Sequence, residues 1–411
     1  MAITIQTDSG NFYTYQRNSN EIVEGIQEEN MSSLVFKERD FISCFPELSI
    51  FTLGITTRCN LRCLYCCYSG AYRNTRTHGK YSMLSKDVLP VISFINRYAT
   101  QQPITLSFYG GESLLEFDLI KEFVFQARKE WCANVQFEIS TNGVLLTPVV
   151  IEWLVANNIT LFLSLDGTIR VQNRQRKTAG GTGSFAPIME ALRYIRSHYL
   201  DYFLKKVHLL MTVVEVSEIP QIAEEWYNDN LLKDKLPIRI STVAPNYRQG
   251  VQKIEKDECI ATYLEIVDEY QKHPEYTLLK VFFERFLAEW INRPIFELKS
   301  PSYCPTCMPL NQKIYIDTDG KVGICEKVPD AYRIGNIHCG IDWQEVNRQT
   351  ELLSKRIKSH CMECSVVRLC SVCPQVLDLS DAEMDIFCHN ERIMQQVKFR
   401  IFCELAERGM I

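Results

Sequence analysis

The sequence predicts an α/β fold in which short parallel strands alternate with helices. Apolar runs of strand length recur between longer amphipathic runs, and several of the longer runs begin with residues that favour helix starts. Strands separated by helices form parallel sheets, and six such units fit an open, TIM-like partial (β/α)6 barrel. The predicted strands are 51–56, 104–109, 135–140, 160–165, 207–214 and 238–243.

Most of the predicted helices follow residues whose side chains can cap a helix N-terminus. Thr147 is followed by Pro148, and proline is favoured in the first turn of a helix. The other predicted caps are Ser85 for a helix over 86–99, Ser217 for a helix over 218–229 and Asp257 for a helix to about 272. A further apolar helix is predicted over 277–291.

Two segments flank this alternating region. Residues 1–49 are predicted to be a β-rich extension with a hairpin-type turn at Asp8-Ser9-Gly10-Asn11, packed as an edge layer on the main domain. Within this extension, the stretch from Glu21 to Met31 is expected to be helical or irregular. The breaker Asn292-Arg293-Pro294 marks a boundary. The predicted domains are therefore 1–49, 50–294 and 295–411.

Composition narrows the functional class. The formal net charge is −5 and no run of Lys or Arg occurs, so nucleic-acid binding is not expected. No apolar stretch is long enough to span a bilayer, and residues 1–8 lack the features of a signal peptide, so we expect no membrane contact. Seventeen cysteines in a chain without an export signal favour metal or iron–sulfur ligation in a reducing compartment, here the cytoplasm.

Three cysteines follow the first predicted strand with the spacing CxxxCxxC. Cys59, Cys63 and Cys66 can hold three irons of a [4Fe–4S] cluster, because such clusters are bound by cysteine thiolates. The remaining iron would then lack a protein ligand and could bind something else. A zinc site is the alternative. Cys67, which follows directly, is interpreted as a packing residue.

This spacing, with Tyr65 just before the last cysteine, resembles the radical S-adenosylmethionine (radical SAM) enzymes. The resemblance implies that the open iron binds the amino and carboxylate groups of AdoMet. It also implies that an electron from the cluster then releases a 5′-deoxyadenosyl radical. Active sites of parallel α/β proteins lie at the carboxyl ends of the strands, where these cysteines lie.

Other residues at this rim resemble the AdoMet site of the same family. The resemblance implies that Gly110-Gly111-Glu112 binds the methionine amino group and that Tyr65 lies near the adenine. It implies that Arg176, preferred over Arg174, binds the methionine carboxylate, a role that suits a guanidinium. The remaining predicted cofactor-binding residues, at the ends of the third to sixth strands, are Ser140, Asn142, Ser164, Asp166, Thr212 and Val243.

The C-terminal cysteines form two groups that resemble a SPASM domain, which holds two auxiliary Fe–S clusters. A predicted hairpin with an Asp319-Gly320 turn would bring Cys307 and Cys325 together. The resemblance implies an outer cluster on Cys361, Cys364, Cys370 and Cys388, and an inner cluster on Cys373, Cys325 and Cys304 or Cys307 or both. Only Ser371 and Val372 separate the third and fourth cysteines of the run, which departs from the usual pattern. Two zinc knuckles are the alternative.

The run from Cys66 to Tyr72, with Arg76, His78 and Met83 after it, resembles maturases of ribosomally made, often cysteine-rich precursor peptides. The predicted function is therefore an oxidative cross-link in such a peptide, with a thioether favoured and a C–C bond possible. The expected partners are a precursor peptide with its leader and an electron donor such as flavodoxin or ferredoxin. The alternatives are a sulfatase-maturating oxidase that forms formylglycine, or another SPASM side-chain oxidase, and a non-catalytic Fe–S or zinc scaffold. The resemblance to sulfatase-maturating enzymes suggests Glu326 as a base, and an exposed hairpin carboxylate is the alternative.

Overall fold

The computed structural model describes residues 2–29, 35–36, 48–72, 76–243, 249–296, 302–303, 310, 312–327 and 332–411. The predicted ligands Cys304 and Cys307 lie outside these residues. The strands, in chain order, are β1 Ile3–Gln6, β2 Phe12–Gln16, β3 Glu21–Glu24, β4 Val35–Phe36, β5 Ile50–Thr56, β6 Ile104–Gly110, β7 Val135–Thr141, β8 Thr160–Ser164, β9 Val207–Val213, β10 Pro237–Thr242, β11 Ser302–Tyr303, β12 Lys313–Ile316, β13 Lys321–Gly323, β14 Arg333–Asn336 and β15 Gly340–Ile341.

The first seven helices are interspersed with strands β5 to β10, three follow β10, and the last two follow β15. They are α1 Val88–Tyr98, α2 Phe117–Trp131, α3 Pro148–Ala156, α4 Ile169–Gln175, α5 Phe185–His198, α6 Leu200–Lys206, α7 Ile219–Asn228, α8 Lys256–Lys272, α9 Thr277–Phe286, α10 Ala288–Ile291, α11 Trp343–His360 and α12 Asp381–Glu407. None of the helices that the structure describes combines the length and apolar character needed to cross a bilayer.

One large sheet organises the molecule, with the strand order β10-β9-β8-β7-β6-β5-β12-β13-β14-β15. Strands β5 to β10 run parallel, as the six predicted strands require, and the predicted fold class is confirmed. Strand β12 pairs in parallel with β5 and begins an antiparallel extension to β15. Within the described chain β10 and β15 are the sheet edges, so the barrel is open.

The barrel strands alternate between two environments. In β6, for example, Leu106 and Phe108 are fully buried against the helices, whereas Ser107 and Tyr109 face the concave side and are half-buried. Burying such an apolar side chain contributes about 1.5–3 kcal/mol. The outer face of the sheet therefore supplies the core, and the concave face is left for polar side chains.

One predicted helix cap agrees with the structure and three differ from it. Thr147 does cap α3, since its hydroxyl accepts a hydrogen bond from Val150 N. The predictions for Ser85 and Ser217 were wrong, because each of these residues lies inside a 3₁₀ turn that precedes the α-helix. Asp257 lies in the first turn of α8 rather than at its cap. The helix predicted over 277–291 is interrupted at Leu287.

The N-terminal extension forms a three-stranded antiparallel sheet, β1-β2-β3, with the predicted turn between β1 and β2. The expectation of a helical or irregular stretch from Glu21 to Met31 was wrong for residues 21–24, which form β3 and pair with β2. Residues 25–29 are irregular as expected, and Met31 lies outside the described residues. This sheet packs on the C-terminal helix α12, where Arg400 bonds to Gln6 O and to Asp8. Arg17 also donates to Met362 O at 2.9 Å, so the extension contacts the cysteine-rich segment.

Candidate functional site

The cysteine loop leaves β5 at its carboxyl end and carries Cys59, Cys63 and Cys66. All three are free thiols and half-buried. Backbone N–H groups point at two of the sulfurs, from Leu61 to Cys59 Sγ and from Tyr68 to Cys66 Sγ, each at 3.4 Å. Burial raises the pKa of the Cys59 thiol to about 12. Any metal bound here would therefore have to displace protons from these thiols.

Gly110 and Gly111 pack directly against this loop. A Cβ on Gly110 would lie 2.5 Å from Thr56 O, and one on Gly111 would lie 2.1 Å from Arg58 O. Gly111 N also donates to Thr56 O at 2.8 Å. The resemblance implies that these glycines help to bind the methionine amino group of AdoMet. The structure shows that they make room for the backbone of the cysteine loop, which fixes the loop on β6.

Glu112 follows the glycines and is 1% exposed. Its carboxylate accepts hydrogen bonds from Leu114 N at 3.1 Å, from Thr141 Oγ1 at 2.7 Å and from Asn142 N at 2.7 Å. Burial raises its pKa. A carboxylate has about four lone-pair sites, so this one retains an acceptor position for an ammonium group. Glu112 thus joins the ends of β6 and β7.

Asp166 is the centre of a second polar cluster and is fully buried. It accepts hydrogen bonds from Arg176 Nε at 2.7 Å and Nη2 at 3.1 Å, from the Tyr65 hydroxyl, and from Thr212 N at 3.0 Å. The Arg176 guanidinium carbon also lies 5.3 Å from the Tyr65 ring centroid. Four of the predicted cofactor-binding residues therefore lie together.

Arg176 connects this cluster to the cysteine loop. Its Nη1 lies 4.0 Å from Cys63 Sγ, and Leu64 N donates to Gln175 O at 3.1 Å. Arg174, the residue not preferred, forms an ion pair with Glu218 away from the cluster. Arg176 thus lies next to the cysteine loop and its guanidinium pairs with Asp166, while its role toward the methionine carboxylate stays a prediction.

The other predicted rim residues lie at the strand ends as expected. Asn142 Nδ2 donates to Asn60 Oδ1 at 2.7 Å, which ties the end of β7 to the cysteine loop. Ser140 O accepts from Ser113 Oγ at 2.8 Å, and Val243 N donates to Val213 O at 3.1 Å. Ser164 ends β8 and is half-buried. Thr141 and Asn60, which make these contacts, were not singled out in the sequence.

The Cys325 hairpin lies beside the cysteine loop. Strands β12 and β13 form the predicted hairpin, and one residue separates β13 from Cys325. The Glu326 side chain is 14% exposed and forms an ion pair with Lys313 at 2.6 Å, so the exposed-carboxylate alternative was wrong. Burial would raise the pKa of Glu326, but Lys313 lowers it. Tyr68 donates its hydroxyl to Glu326 O at 3.0 Å.

One cavity between α11 and α12 is lined by four C-terminal cysteines, which are Cys361, Cys364, Cys370 and Cys388. The cavity is also lined by Val367, Phe387 and Glu391. Cys373 lies outside it, where its thiol contacts Gln375 Oε1 at 3.8 Å. Among the described residues, no three His, Cys, Asp or Glu side chains are close enough to hold a single metal ion.

These observations fit iron–sulfur ligation. The donors are free thiols, which are the ligands of such clusters. The backbone N–H groups directed at Cys59 and Cys66 are the kind of contact that tunes a cluster. The buried residues Glu112 and Arg176 both contact the loop, through Glu112 N to Arg58 O at 2.8 Å and through Arg176 Nη1 to Cys63 Sγ at 4.0 Å.

The sequence is similar to those of known proteins. Residues 53–225 match the radical SAM superfamily. A cysteine-type anaerobic sulfatase-maturating enzyme from Clostridium perfringens (strain 13 / Type A) is 24% identical over 368 residues, covering 84% of this chain and 94% of that enzyme.

Two solved structures establish the same fold. Native anSMEcpe with bound AdoMet and Cp18Cys peptide superposes with a TM-score of 0.63 at 19% identity, covering 88% of this chain and 98% of that one. Streptococcus suis SuiB bound to precursor peptide SuiA superposes with a TM-score of 0.52 at 13% identity, covering 82% of this chain and 74% of that one.

Proposed function

This chain carries a radical SAM domain and is an enzyme that acts on a peptide or protein, and from that premise we propose that it installs an oxidative cross-link in a bound peptide. A thioether is the favoured link and a C–C bond is the other form. The observation that supports this most directly is the contact between the cysteine loop and the Cys325 hairpin through Tyr68. A peptide bound where the cysteine loop meets the Cys325 hairpin would face both the radical source and an electron acceptor.

The residues that would hold the cofactors follow from their positions. We assign Cys59, Cys63 and Cys66 to a [4Fe–4S] cluster with AdoMet. When bound, these groups supply a 5′-deoxyadenosyl radical, and the auxiliary clusters accept an electron. The proposed AdoMet contacts are Tyr65, Gly110, Gly111, Glu112, Ser140, Asn142, Ser164, Asp166, Arg176, Thr212 and Val243.

The C-terminal cysteines would hold two auxiliary clusters. The cavity between α11 and α12 supports Cys361, Cys364, Cys370 and Cys388 as ligands of the outer one. We assign the inner cluster to Cys325, Cys373 and Cys304 or Cys307. With these assignments, the domains are an extension over 1–49, the barrel over 50–294 and the cluster-bearing segment over 295–411.

Glu326 is the proposed base. Cross-linking removes two hydrogen atoms from the peptide, one by the radical and the other as a proton and an electron. Lys313 holds Glu326 in its ionised form, and an ionised carboxylate can accept a proton. The Cys325 thiol lies 3.5 Å from Glu326 Oε2, so the proton acceptor and the proposed electron acceptor are neighbours.

A second candidate function is oxidation of a single side chain, as in formylglycine formation. The similarity to the Clostridium perfringens sulfatase-maturating enzyme over most of both chains favours it. It would use the same radical, base and acceptor clusters, and would differ only in whether a second peptide group traps the oxidised carbon.

The proposed reaction also requires a substrate peptide and an electron donor. We propose a precursor peptide with a leader as substrate and flavodoxin or ferredoxin as electron donor. Because cysteine thiols stay reduced in the cytoplasm and can there bind iron–sulfur clusters, we propose the cytoplasm as the location of the enzyme.

The test is to reconstitute the protein with iron and sulfide and to supply AdoMet and dithionite. We expect 5′-deoxyadenosine to form. Candidate Cys-rich peptides encoded beside the gene and a sulfatase peptide are then each incubated with the enzyme and measured by mass spectrometry. A loss of two hydrogen atoms per link supports cross-linking, and conversion of a Cys thiol to an aldehyde supports the second function. A reconstituted protein that forms no 5′-deoxyadenosine overturns both.

A further inference from the structure

Exposed basic side chains border the loop that carries Cys59, Cys63 and Cys66. Two of them belong to the loop itself, where one directly precedes Cys59 and the other directly precedes Cys63. The other two belong to segments whose backbone is hydrogen-bonded to the loop. The chain has a formal net charge of −5, so this positive charge is a local departure from its overall balance. The four exposed residues are Arg58, Arg62, Lys80 and Lys177.

Backbone hydrogen bonds hold both lysines beside the loop. Arg62 N donates to Lys177 O at 2.7 Å. At the start of the loop, Thr57 N donates to Tyr81 O at 2.8 Å, and Lys80 directly precedes that tyrosine. Because the backbone fixes these positions, the two lysine side chains extend into solvent without being needed to anchor either segment to the loop.

Most of this positive charge is not neutralised by the described part of the chain. Of the four residues, only Arg58 has an acidic partner there, Glu116 at 3.1 Å. The Arg62 guanidinium donates instead to an uncharged group, the Cys59 carbonyl oxygen, at 2.8 Å. The two lysine side chains form no hydrogen bond or ion pair with another described residue. Three positive charges therefore remain for an acidic partner.

Leu64 adds an exposed apolar side chain beside these charges. It is 63% exposed and directly follows Cys63. Leu64 and the four basic residues form the basic surface. An apolar contact with a charged rim is typical of a surface that binds another protein. Weak electron-transfer complexes use small interfaces, so a surface of this size is sufficient for one.

We infer that the basic surface is the docking site of an acidic one-electron carrier protein, which there reduces the cluster held by the cysteine loop. One electron passes from the reduced carrier to the oxidised cluster, and no bond forms or breaks. The positive charge attracts an acidic carrier and raises its association rate. The inference rests on the proposed iron–sulfur ligation by Cys59, Cys63 and Cys66, and it does not depend on which peptide is modified.

The experiment compares two kinds of electron donor on the reconstituted holoenzyme without oxygen. Purified flavodoxin and ferredoxin, which are acidic, are the protein donors, and dithionite is the small-molecule donor. Thermophoresis measures binding of the oxidised carriers, and stopped-flow absorbance measures electron transfer from the reduced carriers. Lys80→Glu combined with Lys177→Glu reverses two charges whose side chains bond to no other described residue. Lys129→Glu combined with Lys355→Glu is the matched control, because these exposed lysines lie on α2 and α11.

We expect the double variant of Lys80 and Lys177 to weaken carrier binding and to slow electron transfer by about tenfold or more at low salt, with a smaller difference at high salt. Its 5′-deoxyadenosine formation with dithionite should match that of the wild type, which separates this result from a failure of the proposed function. The control should match the wild type with every donor.

The inference is overturned if the double variant keeps wild-type binding and transfer rates, or if it is impaired equally with dithionite. It is also overturned if neither carrier reduces the wild-type enzyme when dithionite does. A double variant that loses only the binding of a peptide substrate would overturn it as well, since the basic surface would then bind the substrate.

Discussion

The Tyr68 hydroxyl donates to the Glu326 carbonyl oxygen at 3.0 Å, which joins two segments that are 258 residues apart in the chain. Tyr68 also donates its backbone N–H to Cys66 Sγ. One residue therefore spans from the loop that carries Cys59, Cys63 and Cys66 to the hairpin that carries Cys325. Tyr68 therefore connects the barrel to the cysteine-rich segment at the place where the proposed chemistry occurs.

Replacing Tyr68 by Phe should test this coupling. The ring and its packing remain, but the Glu326 carbonyl loses its donor, which costs about 1 kcal/mol of unfolding free energy. Urea denaturation followed by tryptophan fluorescence measures the change. Tyr81→Phe is the control, because Tyr81 is 75% exposed and should show no effect. Equal stability of Tyr68→Phe and the wild type would mean that the hydrogen bond contributes nothing to the interface.

Replacing Glu326 by Gln should separate proton transfer from AdoMet cleavage. Loss of a general base lowers product formation by about 10²-fold or more, while 5′-deoxyadenosine formation should continue. Both are measured in one assay by liquid chromatography and mass spectrometry. Asp319→Asn is the matched control, since Asp319 lies on the same hairpin and pairs with Lys321 at 2.6 Å. Full product formation by Glu326→Gln would remove Glu326 from the mechanism.

The barrel could be predicted because its signals are local. Each parallel strand carries enough apolar residues to be found without knowing its neighbours, and the structure has all six. Helix starts were less predictable. Ser85 and Ser217 are good capping residues, but the chain there first makes a 3₁₀ turn, and Asp87 bonds to Leu84 N instead. That choice depends on how each turn packs on the sheet.

The sequence was enough to predict which residues belong to the site. It was not enough to predict which side chains each of them contacts. Asp166 and Arg176 were both expected near AdoMet, but their mutual pairing depends on the conformation of the segment after α4. Likewise nothing near Glu326 in sequence indicates Lys313, which reaches it across the hairpin.

Replacing Gly111 by Ala should displace the cysteine loop. The new Cβ would lie 2.1 Å from Arg58 O, a backbone atom that cannot rotate away. Such overpacking costs about 1–3 kcal/mol, and the displacement should reduce bound iron and 5′-deoxyadenosine yield. Iron analysis after reconstitution measures the first effect. Gly180→Ala is the control, because its Cβ would meet only Thr178 Oγ1 at 3.9 Å. Normal iron binding by Gly111→Ala would contradict the packing argument.

Replacing Asp166 by Ala should be strongly destabilising. The substitution leaves the Arg176 guanidinium buried without its partner and removes the acceptor for Tyr65 and Thr212. Breaking a buried ion pair in this way costs about 3–5 kcal/mol, measured by denaturant unfolding of the apoprotein. Asp201→Ala is the surface control, since Asp201 is 80% exposed in its pair with Lys205. A cost as small as that of the control would show that Arg176 finds solvent or another acceptor.

Glu407 should make the attachment of the N-terminal sheet sensitive to acid. Its carboxylate accepts hydrogen bonds from Thr7, Asn11 and Tyr13 at 2.9–3.0 Å and from Ser9 at 2.5 Å. Burial would raise the pKa of Glu407, but these donors lower it from 4.5 to about 2. Because the folded pKa is lowered, the carboxylate stabilises the fold above pH 4.5, and this contribution is lost as the pH falls towards 2.

Glu407→Gln should therefore be less stable than the wild type at neutral pH, and the difference should narrow as the pH falls from 4.5 towards 2. Thermal unfolding followed by circular dichroism across this range measures it, with the difference between the two proteins as the readout. Glu351→Gln, an exposed change on α11, should show no such trend. A difference that stays constant with pH would mean that the hydrogen bonds do not favour the ionised form. The attachment of the N-terminal sheet to α12 at low pH would then depend mainly on the other contacts, such as those of Arg400 and Glu404.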